Sequence, residues 1–469
     1  MNSGVDLVSP FLEFFFDKLA MALKVRTVTQ FVTLTRDEGS WGAIISLAAA
    51  TNADLLAGLS TSGYIVQSAR IVTNPFGEYL DTSSSDAAIA GAGRLKDILL
   101  RCQGPTRLRV ALGAARTPEE VALVPALVRA HGDVANCCVN LEGDALGLVD
   151  DRMVEASAAA VVELAGSTPG GAGNFNFTVN ANVPPGCPFF PASYQVRGGA
   201  LQSSDNGLAE NENYAHGGLA LQASGAAAMF TLGLEYTNLL VRTLSEPLPG
   251  DVPDDRRALV PRRLEACVAA VDAHLRVISV VATRVAAERC VSFGGLDSSA
   301  APSKDCSSIT DVFRLLGIPS FGAAGTLEVA ALLTRGVFRA LGEGIMPRAG
   351  FSGLSTSWCL AAWRESRFKP TSPHRVTVLA CLEDEGLAAA AAAGSFDLRA
   401  LLAYSAVCGM CVVTRRAIWD EGEDGGAHAH FTSCDLARAA ALTQSPFPEI
   451  PRQPQLAPSF ETPLLLLFV

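Results

Sequence analysis

Clustered positive charge is missing from this 469-residue chain: 36 Lys and Arg stand against 47 Asp and Glu, for a net charge of −11. Without a basic face or aromatics interleaved with one, no nucleic-acid surface is expected, because phosphate contacts need grouped Lys and Arg. Aromatic residues stop at 7% and charged residues at 18%, whereas apolar residues reach 49%. That balance is unlike a disordered chain and supplies a large buried core. The apolar stretches at the two ends, "FLEFFFDKLA" and "TPLLLLFV", fall short of the roughly 20 residues needed to cross a bilayer. No secretion pattern precedes them, and the acids near the N-terminus are unlike a mitochondrial presequence. A cytoplasmic protein without membrane contact is the expectation.

Familiar chemical signatures are also missing. There is no G-x-x-x-x-G-K-[ST] phosphate loop, no G-x-G-x-x-G after a strand, no G-x-S-x-G elbow and no H-E-x-x-H. Twelve cysteines are present, but most sit in apolar runs, as Cys267, Cys290 and Cys381 do. They read as buried reduced thiols rather than a disulfide framework. The one C-x-x-C, Cys408 to Cys411, runs into a β-branched stretch and has no second pair. The sequon Asn176-Phe177-Thr178 lies in a strand-like run, where a glycan is not expected.

What is there is a βαβα rhythm. Strands are predicted at 25–34, 64–72, 107–113, 134–140 and 174–181, with helices over 41–60, 86–101, 117–132 and from Asp150 or Asp151. This alternation predicts an α/β fold, a barrel-like mixed sheet surrounded by helices. Residues 206–246 and 254–290 read as two long covering helices separated by the breaker-rich "SEPLPGDVPDD". A strand near 290–297, helices at 307–317 and from Thr326, and strands at 375–381 and 409–414 follow. The expected organisation is an extension over 1–23, one α/β unit over 24–441 and an irregular tail over 442–469 with six prolines. Met21 directly precedes the first strand, so residues 1–20 read either as an appended helix or as a misplaced start.

Several stretches carry candidate chemistry. In "NCCVNLEGD" (136–144), alternation sends Cys137 and Cys138 to opposite faces and leaves Asn140 and Glu142 at a strand end, where α/β sheets gather ligands. "PPGCPFFPASY" (184–194) is a stiff segment that lines a pocket or fixes a loop against the core. "FTLGLEYTNLL" (230–240) places Glu235 inside an apolar helix, where a carboxylate needs a partner. The acidic "DEGEDGGAHAHFTSC" (420–434) sets His428, His430 and Cys434 near carboxylates, either as a metal site or as a solvated loop. "SFGGLDSSAAPSKDCSSI" (292–309) reads as strand end, polar loop and helix start, with Asp305, Ser307 or Ser308 as the cap.

"VRTVTQFVTL", "VQSARIVTNPF", "NCCVNLEGD", "CPFFPASY", "FTLGLE", "SFGGLDSSAAPSKDCSSI" and "IPSFGAAGTLEVAALLT" occur in the order found in the domain of unknown function 711 family, which the chain resembles from about Val25 to Arg415. The resemblance implies an α/β barrel similar to that of pyruvate formate-lyase and other glycyl radical enzymes. It implies no activity, and no Arg-Val-x-Gly loop of the radical enzymes occurs in the sequence. Departures from the family pattern are Lys304 before Asp305, Cys306 in place of Ser, and Cys138 where Ser is more usual.

The functional expectation is an enzyme using acid–base chemistry, lyase or hydrolase in type, on a small polar metabolite at the barrel mouth. Asp297 and Glu142 are the catalytic candidates, and Arg70, Asn74, Asn140, Ser299 and Asp305 the substrate-binding ones. The alternative is a metabolite-binding or regulatory protein without chemistry. A homo-oligomer through the long middle helices is a further expectation. The sequence names no cofactor, and no metal ligand set is assigned.

Overall fold

The structure, a computed structural model, describes residues 22–104, 107–141, 149–181, 183–195, 228–247, 256–301, 303, 306–318, 326–353, 411–413, 416–421, 427–432 and 466–468. Seven strands make one curled sheet, a half-barrel surrounded by helices. They are β1 (Lys24–Val32), β2 (Ala69–Thr73), β3 (Leu108–Ala115), β4 (Ala135–Leu141), β5 (Phe177–Ala181), β6 (Ala228–Glu235) and β7 (Ser292–Ala300). Their spatial order is β5-β4-β3-β2-β1-β6-β7. Strands β1 to β5 run parallel, β6 pairs antiparallel with β1, and β7 runs parallel with β6. The sheet therefore joins two parallel blocks of opposite direction.

Helices α1 (Trp41–Thr61), α2 (Ser85–Arg101), α3 (Pro118–His131) and α4 (Asp151–Ser167) connect the first five strands. Their starts follow local chemistry. Ser84 Oγ accepts from the Ala87 N–H, Thr117 Oγ1 from Glu120 ahead of an N-terminal Pro118, and Asp150 Oδ1 from Arg152. Helix α5 (Thr237–Ser245) follows β6, and α6 (Arg256–Arg289) precedes β7. Helix α7 (Ile309–Leu315) starts with a capping box between Ser308 and Asp311, and α8 (Thr326–Leu333) follows. Of the expected caps, Ser308 fills the role, while Ser307 donates to Asn238 Oδ1 instead.

One face of the sheet is apolar and packs on the helices. Val28, Ile71, Val110, Val139, Val179, Phe230 and Leu232 share a core with Ile45, Leu95, Val121, Val161 and Ile278. Each such side chain contributes about 1.5–3 kcal/mol on burial. Segments Glu38–Thr61 and Leu259–Arg289 are long and apolar enough to cross a membrane by length and composition. Both include core residues of this layer: Trp41, Ile45 and Leu55 in the first, Val271, Leu275 and Ile278 in the second.

The middle of the chain differs from expectation. In place of a helix over 206–246, residues 228–235 form strand β6, and only Thr237–Ser245 are helical in this part of the described chain. Every residue of β6 is buried, so its apolar run carries neither a period of two nor one of 3.6. Pairing with β1 and β7 decides its conformation. Residues 420–434 likewise do not form one loop, because β9 (Arg416–Glu421) and β10 (Ala427–Thr432) pair antiparallel, with His428 opposite Asp420. A short β8 (Cys411–Val413) pairs parallel with β11 (Leu466–Phe468). The predicted strand at 375–381 and Cys434 lie outside the described residues.

Candidate functional site

The inner face of the half-barrel is mixed, an apolar cluster of Phe31, Val72, Ala111 and Met229 beside a set of polar side chains. Thr27 and Thr29 of β1, Asn136 and Cys138 of β4, Thr178 and Asn180 of β5, Thr231 of β6 and Asp297 and Ser299 of β7 are all buried. Across this face lies the segment 183–195. Its carbonyls accept from the sheet: Pro188 O from Thr29 Oγ1 (2.9 Å) and Arg70 Nη1 (3.3 Å), and Gly186 O from Thr231 Oγ1 (3.1 Å). Gln195 donates to Val32 O, Tyr194 to Val183 O, and the Arg70 guanidinium sits 4.8 Å from the centre of the Phe190 ring. At Gly233 a Cβ would lie 2.6 Å from Phe189 ring carbons, so the absent side chain makes the close approach of this segment possible. The Pro-rich run is thus fixed against the sheet.

Asp297 is fully buried, and four donors converge on it. Oδ1 accepts from Ser299 N (3.0 Å), Ser299 Oγ (2.7 Å) and Ser352 N (3.0 Å), and Oδ2 accepts from Phe351 N (2.8 Å). Burial raises its pKa above the usual carboxylate value, and these donors pull the other way. Ser299 Oγ in turn accepts from Gly353 N at 3.1 Å. Residues 347–349 bond to Leu296 alongside β7, and Gly350, with φ +58°, turns the chain where a Cβ would collide with the Asp297 carboxylate. Asp297 and Ser299 together hold the segment 347–353.

The expected residues do not meet at one mouth. Gly233 of β6 lies opposite both Thr27 of β1 and Asp297 of β7, so Asp297 is level with the beginning of β1. Asn74 follows β2, and Asn140 stands near the end of β4. Thr27 precedes by one residue the Val28–Ala69 pair, which puts Ser68 at its level. Asn74 is six positions further on, about 20 Å at roughly 3.3 Å per residue. Asn74 is also engaged: Oδ1 accepts from Leu34 N (2.8 Å), and Nδ2 donates to Leu34 O (3.2 Å) and Glu78 Oε2 (2.7 Å). It ties the ends of β1 and β2 together. Arg70 clamps the 188–190 stretch. Glu142 and Asp305 lie outside the described residues.

The sequence profile of the family described as Uncharacterised ACR (DUF711) matches residues 19–359. The chain belongs to that family. Curated relatives carry the description "UPF0210 protein". One from Pyrobaculum arsenaticum is 28% identical over 233 residues, 50% of this chain and 39% of that protein. One from Desulfovibrio desulfuricans is 31% identical over 134 residues, 28% of this chain and 24% of that protein. The chain thus matches well under half the length of either relative. The DUF711 match takes in all seven strands of the half-barrel, the segment laid across its inner face and Asp297 with its turn.

Within the DUF711 half-barrel, Cys137 and Cys138 separate as their alternation requires. Cys137 joins the core under the helices, and Cys138 faces inward with Tyr194, Cys187 and Phe351. Burial pushes the Cys137 thiol up to about 12 and raises that of Cys138 further, with Cys137 adding to the effect, so both are protonated at neutral pH. Asn140 Oδ1 accepts from Asn180 Nδ2 at 2.9 Å, and Asn180 Nδ2 also donates to Ala192 O at 3.1 Å. Glu235, expected within a helix, ends β6, where Lys24 Nζ (3.1 Å) and Gln67 Nε2 (2.9 Å) satisfy it. Sequence reasoning did not single out Thr178, Asn180 and Ser193, which are buried beside Cys138 and Asn140. The signal was the alternation in "FTVNA", which puts Thr178 and Asn180 on the face of Cys138 and Asn140. Among the described residues no three potential ligands group as a metal site, and His428 and His430 are placed only by their backbone.

Proposed function

We propose that this protein binds a small polar metabolite on the inner face of its half-barrel and acts on it by proton transfer. One observation carries the reading: the inner face is lined by buried hydroxyl, amide and thiol groups while the outer face is apolar. Burying polar groups is costly unless they are bonded, and beside the Phe31, Val72, Ala111 and Met229 cluster this face holds Thr178 Oγ1 and Asn180 Oδ1 with no partner among the described residues. Asn140 orients the ligand, while Asn74, Arg70 and Ser299 act at a distance from it, by holding the β1 and β2 ends, the 188–190 stretch and the 347–353 turn. Glu142, two positions after Asn140 in the sequence, supplies the acid–base group, and Asp297 acts through the turn it holds. The two opposed parallel blocks support a barrel related to that of the glycyl radical enzymes, with acid–base rather than radical chemistry. Seven described cysteines are free, which fits a reducing, cytoplasmic setting.

A second reading, binding without chemistry, is favoured by the state of the described acids. Asp297 is committed to its turn and Glu235 to Lys24 and Gln67. Incubation of the full chain with a metabolite extract, followed by mass spectrometry, separates the two. Proton-transfer chemistry predicts that one compound is depleted as a product mass appears, and that Glu142→Gln abolishes this. Retention of a compound without depletion supports the binding reading, and neither retention nor depletion refutes both.

A further inference from the structure

Among the described residues, three buried polar atoms at the β4–β5 corner have no hydrogen-bond partner: Thr178 Oγ1, Asn180 Oδ1 and Ser193 Oγ. Their residues are 0%, 1% and 0% exposed, so water at the surface does not satisfy them. They are neighbours. Thr178 lies beside Cys138, and Asn180 beside Asn140, in the register of the two strands, about 5 Å apart laterally. Residues 192 and 193 pass over the same spot, since Ala192 O accepts from Asn180 Nδ2 and Ser193 O from Cys138 Sγ at 3.8 Å. The orientation of the Asn180 amide is settled by its two acceptors: Asn140 Oδ1 and Ala192 O both face Nδ2, which uses both of its hydrogens. Its oxygen is therefore the free atom.

An unsatisfied buried polar atom costs about 1–3 kcal/mol, and three of them on residues that the register and the Ser193 backbone bring to one corner are a concentrated cost. We infer that this corner is a subsite for an uncharged donor–acceptor group, a primary carboxamide or a hydroxyl, of the metabolite held by the inner face. The inference rests on the reading of that face as a binding surface and adds which part of the ligand goes where. Asn180 Oδ1 is an acceptor only, so the group must present an N–H or O–H to it. Thr178 and Ser193 each have a hydroxyl hydrogen to donate, so the same group must carry an acceptor. Among the described residues the corner is built from amides, hydroxyls and a protonated thiol, with no ionised side chain among its members. A carboxylate or ammonium brought there would lose its hydration without a counter-charge. A carboxamide meets all three demands while remaining neutral. Entry requires the 183–195 segment to move off the corner, because Ser193 belongs to it.

Ligand-observed saturation-transfer NMR on the full chain tests this with matched probes: acetamide and glycolamide against acetate and glycolate. The amides are expected to receive saturation and the acids not. Thr178→Val and Ser193→Ala, each close in shape and lacking the hydroxyl, are expected to weaken amide binding about tenfold. Both variants are expected to unfold in urea at the same or higher midpoint than the wild type, because they remove an unsatisfied group. Equal or stronger transfer to the carboxylates overturns the neutral assignment. Absence of amide binding overturns the subsite, as does a Thr178→Val variant that loses stability, since Thr178 would then already be satisfied by an ordered water or a protein group. A metabolite retained from extract by the wild type and by Thr178→Val alike also overturns the subsite and leaves the broader binding reading standing.

Discussion

Asn in place of Asp297 separates a turn-holding residue from a proton-transfer residue, and the hydrogen bonds set the magnitude. The amide nitrogen has two places to go. At the Oδ1 position it faces three donors, from Ser299 N, Ser299 Oγ and Ser352 N; at Oδ2 it faces one, Phe351 N. The second is less costly: it leaves the Phe351 N–H without its acceptor and buries the new amide hydrogens beside it, a loss of at least about 1–3 kcal/mol. That predicts a five- to 150-fold shift of the folding equilibrium, roughly, read as a lower urea midpoint. The pH dependence has a fixed sign. The pKa of Asp297 is raised by folding, so the native state holds its proton to higher pH than the unfolded chain. Wild-type stability therefore falls as pH rises from about 4 through the folded pKa and then levels off. Asn does not titrate, so its deficit against the wild type is largest in acid and narrows in that window. A urea midpoint unchanged within about 0.5 kcal/mol refutes the turn-holding role. A deficit that widens with pH instead refutes the dominance of burial over the four donors.

Gly233→Ala pushes a methyl group to 2.6 Å from the Phe189 ring and should lift the 183–195 segment, costing about 1–3 kcal/mol. Chymotrypsin should then cut after Phe189 faster than in the wild type, and an unchanged cleavage pattern refutes the close packing. His274, buried beside the Tyr64 hydroxyl at 3.1 Å, has its pKa lowered by burial and then by Arg242. Its contribution to stability is present above the unfolded value near 6.5 and is lost as pH falls below it, so His274→Phe should flatten the acid limb of urea midpoints measured between pH 7.5 and 5.

The half-barrel's first block was legible because its signals are local. Thr117 with Pro118, Ser84 and Asp150 mark helix starts within three residues of the groups they cap. Strand β6 was not legible, since eight buried residues in a row suit a helix or a strand, and only β1 and β7 choose between them. The same locality governs the site. Alternation alone put Cys138 and Asn140 on one face, but two of the four donors on Asp297 come from residues 54 and 55 positions later, and the partner of Asn140 is 40 positions away. A polar residue at a strand end therefore says that something is bonded there, not whether the partner is the protein or a ligand. Here the partners divide the candidates. Asn74, Arg70, Asp297 and Ser299 spend their hydrogen bonds on pinning one segment or strand end to another. Thr178, Asn180 and Ser193 retain capacity that no packing role explains. Where a sequence departs from local rules at a cost to stability, function is the expected compensation, which is why the ligand subsite is proposed at the β4–β5 corner rather than at Asp297.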